Sequence, residues 1–504
     1  MNKVIKYIGF IIAFVSVVAT QSCSDTFLDK QPTDSVSSSE VFTSTEGGVS
    51  VLNGIYRYMY SYNTYGRSGG RHDDFGQPAI QIMLDVMGDD MPMTIAYFYS
   101  SDYNYLYTER SDYSRTHMLW NFYYDIINNV NGILDNKDAF EGEDAEINYV
   151  LGQAYTLRAF SYFYLVNLYQ QTYKGSEGEA AVPIYLSQTT EGVAASTVQQ
   201  VYDQIVADIK LGVELLEKAT PKNEHSYGHD SHIDVYGARA IYARIALQME
   251  DWNTARDMAH AARTGKDYGL MSASEYTAGF NSTKNPEWMW GFAVNVDDNP
   301  IYPSFYSHMD PNQNGYGGSL GNYKQVSQKL YDKILDSDVR KQVFKPVTYY
   351  KKDENGKDTE EVDKVIYYQY KFVSSGNFLG DLVQQRVAEA YLIEAECEAR
   401  LGNNGVAQTV LFDLMSTRDA DYAKSTNTGD DLLNEILLHR QIELWGEGRR
   451  WFDIKRLKIG LDRSADNLNE GLARIVTLPA GDSHFMFPIP MLETDVNGLI
   501  EPNK

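Results

Sequence analysis

Only two cysteines, Cys23 and Cys397, occur in 504 residues. At most one disulfide is possible, so the fold has to be held by its core rather than by cross-links. Basic residues are also scarce: 44 Lys and Arg stand against 69 Asp and Glu, for a net charge of −25. Such a surface repels phosphate, which argues against nucleic acid as a ligand and against electrostatic adhesion to anionic lipid. No apolar run reaches the roughly 20 residues that a helix needs to cross a bilayer. HExxH, a nucleophile elbow, a P-loop and an EF-hand loop are missing, and Asp353-Glu354-Asn355-Gly356 fails the calcium-loop spacing. Glycoside hydrolysis needs two placed carboxylates, and nothing among the 69 acids nominates a pair. No catalytic residue and no cofactor is expected.

What the chain does have begins at its N-terminus. Lys3 and Lys6 precede the apolar run Ile8 to Ala19, and the small residue Ser22 stands directly before Cys23. Basic residues, a short apolar core and small residues read as an export signal over 1–22. The Cys at that point reads as a lipoprotein processing site, with Thr20 and Gln21 departing from the residues usual there. Cys23 is then the expected lipid attachment, and acylation there rules out an intramolecular disulfide. Loss of Lys3 and Lys6 takes the net charge from −25 to −27, so attachment to a membrane rests on the lipid alone. Residues 23–39, with Pro32 and several serines, read as an extended tether.

Beyond Glu40 the periodicity is helical. It predicts helices over roughly 119–135, 146–170, 198–218, 234–249, 252–264, 384–402, 404–418 and 430–445. Ala388, Tyr391, Leu392, Ala395, Ala399 and Gly402 follow an i, i+3, i+4, i+7 stripe. Ala243 and Ala255, and again Ala395 and Ala407, are twelve apart across a short turn, a spacing that lets antiparallel helices approach as in tetratricopeptide repeats. The expected fold class is mainly α: an interrupted tetratricopeptide-like scaffold with irregular insertions and a few short strands. The insertions span 63–118, 265–330 and 347–373, the last a hairpin turning at Asn355-Gly356. In the second, Trp290 of WMWGFAV is expected in a core strand. Cys397, inside a helical pattern, reads as a small buried apolar residue.

Two polar constellations have structural readings. Arg440, Glu443, Glu447, Arg449, Arg450, Asp453 and Arg456 alternate sign at helical spacing, which suits ion pairs that lock a helix end better than catalysis. His225, His229 and His232 with Asp230 and Asp234 have a spacing that metal could use. They sit in a Ser- and Gly-rich connection, so a loop is the expected reading and no metal is assigned.

The aromatic insertions carry the candidate ligand surface. Tyrosine is abundant, 39 against 20 Phe and 6 Trp, and sugar C–H faces lie flat on such rings while Asn and Asp hold hydroxyls. Tyr97, Tyr99, Tyr103, Tyr105 and Tyr107 share one parity, so an extended segment would put them on one side. Trp288, Tyr302, Phe305, Tyr306, Asn312 and Tyr316 form the second set. Tyr97, Tyr99, Tyr103, Trp288, Tyr302, Tyr306, Asn312 and Tyr316 are the candidate ligand contacts.

Several strings resemble the SusD/RagB family in order along the chain. These are Val41 to Met59, Trp120 to Leu134, Leu157 to Tyr169 followed by Val182-Pro183-Ile184, Ala240 to Ala262, His439 to Leu457, and Phe487 to Asn503. His439 and Gln170 depart from the acidic residue and the glycine usual there, at positions that bear on packing. The resemblance implies an N-terminal helical region over 40–264 and a C-terminal region over 265–504. It also implies a lipid-anchored outer-membrane protein, facing outward, that hands an oligosaccharide to a TonB-dependent, SusC-like transporter. A peptide ligand, as for RagB-like members, and an envelope adaptor without a nutrient ligand are the alternatives.

Overall fold

A computed structural model describes residues 42–66, 70–223, 231–355, 357–465 and 467–504. The signal, the tether and Cys23 lie outside the described residues, as do His225, His229 and Asp230. Helix α1 (Thr45–Tyr58) starts where the Ser44 hydroxyl accepts the Gly47 amide proton. It is followed by α2 (Gln77–Val86), α3 (Ser114–Asp135), α4 (Asp144–Tyr169), α5 (Val198–Asn223), α6 (Val235–Gln248) and α7 (Trp252–Thr264). Then come α8 (Val387–Arg400), α9 (Asn404–Met415), α10 (Gly429–Glu443) and α11 (Arg450–Leu457).

Helices α3 to α9 pack in sequence order as one continuous stack, with α10 also against α8. The stack runs directly from α7 to α8 although more than a hundred residues separate them in the chain, so the scaffold is interrupted in sequence and continuous in space. Ala243, Ala255, Ala395 and Ala407 are all fully buried, as close helix approach requires. Between α4 and α5 the same task falls to glycine. A Cβ on Gly212 would come within 2.5 Å of Thr156 Oγ1 and 3.0 Å of the Gly152 carbonyl oxygen. On α8 the residues Ala388, Leu392, Ala395 and Ala399 join Leu411 and Leu414 of α9 and Leu432 and Ile436 of α10 in a second apolar cluster beside the main core. Cys397 is buried there as a free thiol, in the main cluster.

The strands are few: β1 (Trp288–Phe292), β2 (Phe344–Lys352), β3 (Asp358–Gln369), β4 (Leu382–Arg386), β5 (Leu461–Asp462) and β6 (Thr477–Leu478). The hairpin β2–β3 pairs Phe344 with Gln369 and Lys352 with Asp358. Residues 384–386, at the start of the predicted helix 384–402, instead belong to β4, which pairs with β1, so the helix begins at Val387. Trp290 is buried in β1 as its setting predicts. The insertion before α3 holds a full helix, α2, which the sequence reading left irregular.

The charged residues at the end of α10 sit in a buried ion-pair network. Glu443 lies 3.0 Å from Arg386, 3.1 Å from Arg418 and 3.3 Å from Arg340. Arg386 also pairs with Glu287 and Glu447, both at 2.7 Å, Lys371 with Glu447, and Arg340 with Asp338. Beside it Glu389 meets Arg244 at 2.6 Å, and Arg456 bridges Asp453 and Glu396 at 2.7 and 2.6 Å. His439 joins as a neutral acceptor 3.0 Å from Arg340. Burial, and then the neighbouring guanidinium, push its pKa down to about 3. Gln170 likewise has a local use, donating to the Ala180 carbonyl at 2.8 Å.

Burial alone would raise the Glu443 pKa, but Arg418, Arg386 and Arg340 outweigh it and hold the carboxyl well below its usual range. Its contribution is therefore complete above the unfolded value of about 4.5 and is lost as pH falls towards the folded value. Glu443→Gln leaves three arginines under-compensated and is expected to cost about 3–5 kcal/mol. Melting curves between pH 6 and 3 should show the variant less stable at pH 6 and with a shallower acid slope than the wild type.

Candidate functional site

The two aromatic insertions, separate in sequence, interlock in space. Asn322 Nδ2 donates to the Phe98 carbonyl at 3.1 Å, and Met93 bridges to Lys324 across the join. His308 Nε2 lies 2.6 Å from the His72 carbonyl oxygen. The base is fixed by a buried arginine: Arg115 pairs with Asp73 at 2.6 Å and Asp102 at 3.0 Å.

At this join the rings form an arc. Tyr316 lies 5.4 Å from Tyr97 and 6.4 Å from Tyr302, and Tyr302 is 5.8 Å from Phe378, centroid to centroid. Tyr316 is itself buried and stacked at 4.7 Å on His308, which stacks on Phe75 beneath. Tyr97 and Tyr302 are 47% and 42% exposed and present the surface of the arc, edged by exposed Ile95, Ile301 and Leu320. The polar rim includes His72, whose Nδ1 is 2.5 Å from the Tyr316 hydroxyl. Burial, then the hydroxyls of Tyr97, Tyr302 and Tyr62, push the Tyr316 pKa up to about 12, so it stays protonated as a donor. His308 is held neutral by burial and then by Lys324. Burial brings the Lys324 pKa itself down to about 7.

Backbone strain gathers at the same place. Tyr99, Ile301, Asn377 and Phe378 have φ of 71°, 66°, 48° and 60°. A non-glycine residue in that region costs on the order of 1–3 kcal/mol and persists only where surrounding packing over-determines it. The arc is therefore held in shape before any ligand arrives.

Of the eight predicted contacts, the arc brings together Tyr97, Tyr302 and Tyr316. Four others belong to the core. Tyr99 lies under the Arg115 guanidinium at 5.5 Å, and Tyr103 under that of Arg463 at 4.1 Å. Trp288 and Tyr306 are each 1% exposed. Trp288 pairs through β1 with Arg386. The Tyr306 hydroxyl lies 2.8 and 2.7 Å from the carbonyl oxygens of Phe280 and Asp381. The one-sided tyrosine ladder fails because Ser100–Tyr103 is a helical turn flanked by left-handed Tyr99 and Tyr105. Asn312 is exposed but lines a different recess with Thr277, Gln342, Lys345 and Tyr370. Tyr62 and His72, at the head of the first insertion, were not anticipated. Their polar tips gain meaning only once Tyr316 is beside them.

The polar constellations have structural work. His232 stacks on Tyr56 at 4.9 Å and lies 2.7 Å from Asn53 Oδ1, and Asp234 caps α6. Among the described residues no group of three or more His, Cys, Asp or Glu could hold a metal ion.

Comparison with known proteins places this geometry in context. A family model described as SusD-like, starch-binding associating with outer membrane, matches residues 26–247, and a SusD family model matches residues 297–503. SusD-like protein P2 of Formosa agariphila is 22% identical over 547 residues, covering 99% of both chains. A SusD-like carbohydrate binding protein from Bacteroides vulgatus is 28% identical with a TM-score of 0.76, covering 91% of this chain and 97% of that one. Surface glycan-binding protein A from Bacteroides thetaiotaomicron, in complex with laminarihexaose, has a TM-score of 0.67 at 18% identity over 91% of this chain and 99% of that one. At that identity the likeness is one of fold.

Because Trp288 and Tyr306 are core residues, Trp288→Ala or Tyr306→Ala should each cost about 3–5 kcal/mol through the cavity left behind. Denaturant unfolding followed by tryptophan or tyrosine fluorescence checks this, and an unchanged midpoint would put both rings back on the surface.

Proposed function

We propose that this chain, which belongs to the SusD/RagB family, captures a carbohydrate at the outer membrane and passes it to a TonB-dependent, SusC-like transporter without altering it. The observation that carries the reading is the exposed pair Tyr97 and Tyr302 on either side of Tyr316. Two amphipathic rings on a rigid base offer flat faces to sugar C–H groups, and the hydroxyls of Tyr62 and Tyr316 with His72 supply the rim. A shallow site of this kind exchanges water for ligand with modest net gain. The interlocked, strained base lowers the ordering cost that remains.

Attachment to the membrane would run through Cys23. Among the described residues no helix is long and apolar enough to cross a membrane, and the net charge of −25 gives no electrostatic hold on anionic lipid. Several acyl chains on one cysteine anchor stably where one does so only marginally. The Cys23→Ser variant is expected to leave the membrane fraction. Expression without the transporter, followed by sedimentation in high salt, checks this, and a variant that still sediments removes the lipid anchor from the reading.

Tyr97→Ala and Tyr302→Ala are expected to weaken oligosaccharide binding about tenfold each, or about 1.4 kcal/mol. As exposed rings they should move stability by no more than about 0.5 kcal/mol. Calorimetric titration with gluco-, xylo- and manno-oligosaccharides, alongside neutral peptides of matched length, tests the ligand class. Binding of the peptides alone, or binding indifferent to both substitutions, would replace the carbohydrate reading.

A further inference from the structure

We infer that a recess on the outer face of α3 is a second carbohydrate subsite, one that takes a single neutral sugar ring and acts apart from the aromatic arc. The inference rests on the carbohydrate reading and extends it to a part of the scaffold that periodicity assigns to packing alone.

The recess has a volume of about 270 Å³, on the scale of one sugar ring with a few waters, and no pocket residue belongs to the arc. Its aromatic side is built by Trp120, Tyr124 and Tyr185. Trp120 and Tyr124 are 4.8 Å apart and tilted by 48°, and Tyr185 stands edge-on to Tyr124 at 5.6 Å. The Tyr124 hydroxyl is tied to the Pro183 carbonyl at 2.8 Å and the Tyr162 hydroxyl to the Tyr185 carbonyl at 2.9 Å, so these rings are positioned by the scaffold.

Along the rim, Asn121, Asp125 and Asn128 stand at i, i+4 and i+7 on one face of α3. Neighbouring asparagines on the same helix have structural partners. Asn131 Nδ2 donates to the carbonyls of Tyr185 and Ser187, and Asn129 Nδ2 to that of Asp125. The side-chain amides of Asn121 and Asn128 are both exposed and make no hydrogen bond to the described residues. Asparagine inside a helix costs several tenths of a kcal/mol relative to alanine. Two of them on one helical face, with no partner among the described residues, weaken α3 and leave their donors and acceptors aimed outward. Amide groups that both donate and accept match sugar hydroxyls, which do the same.

The charge of the recess narrows the ligand. Asp125 accepts from the Tyr58 hydroxyl at 2.8 Å, Glu493 also lines the space, and no lysine or arginine does. Two carboxylates without a cation repel uronates and sulfated sugars, and the absence of a metal-binding cluster among the described residues removes the means of bridging them. A neutral ring is what remains.

The test uses the full mature chain carrying Tyr97→Ala and Tyr302→Ala to silence the arc. Saturation-transfer NMR is recorded with methyl glucoside, methyl galactoside, methyl xyloside and glucuronate as probes. At least one neutral glycoside should receive magnetisation, glucuronate should not, and adding Asn121→Ala with Asn128→Ala should weaken that binding at least tenfold with a melting temperature that does not fall. The inference fails if the arc-silenced protein gives no transfer, if transfer survives loss of both asparagines, if glucuronate binds equally, or if a short neutral peptide alone gives the asparagine-dependent signal. The capture reading stands apart: oligosaccharide binding that depends on Tyr97 and Tyr302 without any signal at the recess sinks this inference alone. Loss of all sugar binding in the unaltered chain sinks both.

Discussion

Glu443 and Arg386 meet in the interior with nothing but protein around them, and the arrangement of the C-terminal half follows from satisfying that pair. Removing two charges from water costs several kcal/mol for each ion, so neither can be buried without further partners. The chain supplies them from segments far apart in sequence: Glu287 before β1, Asp338 and Arg340 before β2, Lys371 after β3, Arg418 after α9, and Glu447 beyond α10. Four carboxylates face four cations, and the cluster is neutral as a whole. Because the partners come from five separate segments, satisfying the network fixes how the chain between α7 and α8 sits against the helical stack. It holds Arg386 at the end of β4 while β4 pairs with β1. The network therefore specifies geometry more than it adds stability.

That geometry matters for the ligand surface because the residues of the arc sit on mostly irregular segments, with no strand pairing between them to align them. Glu287 inside the second insertion is tied to Arg386 at the end of β4, and the first insertion is fixed at its base by Asp73, Arg115 and Asp102. What lies between them, His308 on Phe75 and Tyr316 on His308, is a stack of rings with one order of layers. The left-handed residues Tyr99, Ile301, Asn377 and Phe378 are the cost of joining the insertions tightly. A scaffold of close-packed helices bears such strain without yielding, which is why binding surfaces so often sit on irregular segments carried by regular ones.

Family resemblance and the helices of the stack are legible in the sequence, since each is written locally: motif strings in order, stripes at i, i+3 and i+4, small residues twelve apart. One boundary failed where a distant partner intervened. Residues 384–386 share the helical pattern that follows them, and only β1 across the fold makes them part of a strand. The same limit applied to the charged run from Arg440 to Arg456. Its structural character was readable from alternating sign, whereas Arg340, Arg386, Arg418 and Lys371 could not be named as its partners.

By itself, the sequence determined the class of protein, an interrupted helical scaffold, the shortage of catalytic motifs, and the concentration of aromatic residues in insertions without period. Tertiary structure decided which aromatics face water. Tyrosine is indifferent to the question, since an apolar ring with a polar tip is equally at home in a core with one carbonyl to bond or on a surface with a sugar to hold. Tyr306 found two carbonyls and went inside; Tyr302, four residues earlier on a left-handed turn, stayed out. The asparagines of α3 are the converse case. Their positions were readable as helix from Trp120 onward, but the missing partners of Asn121 and Asn128 are a property of the space around them, and local pattern holds no record of space.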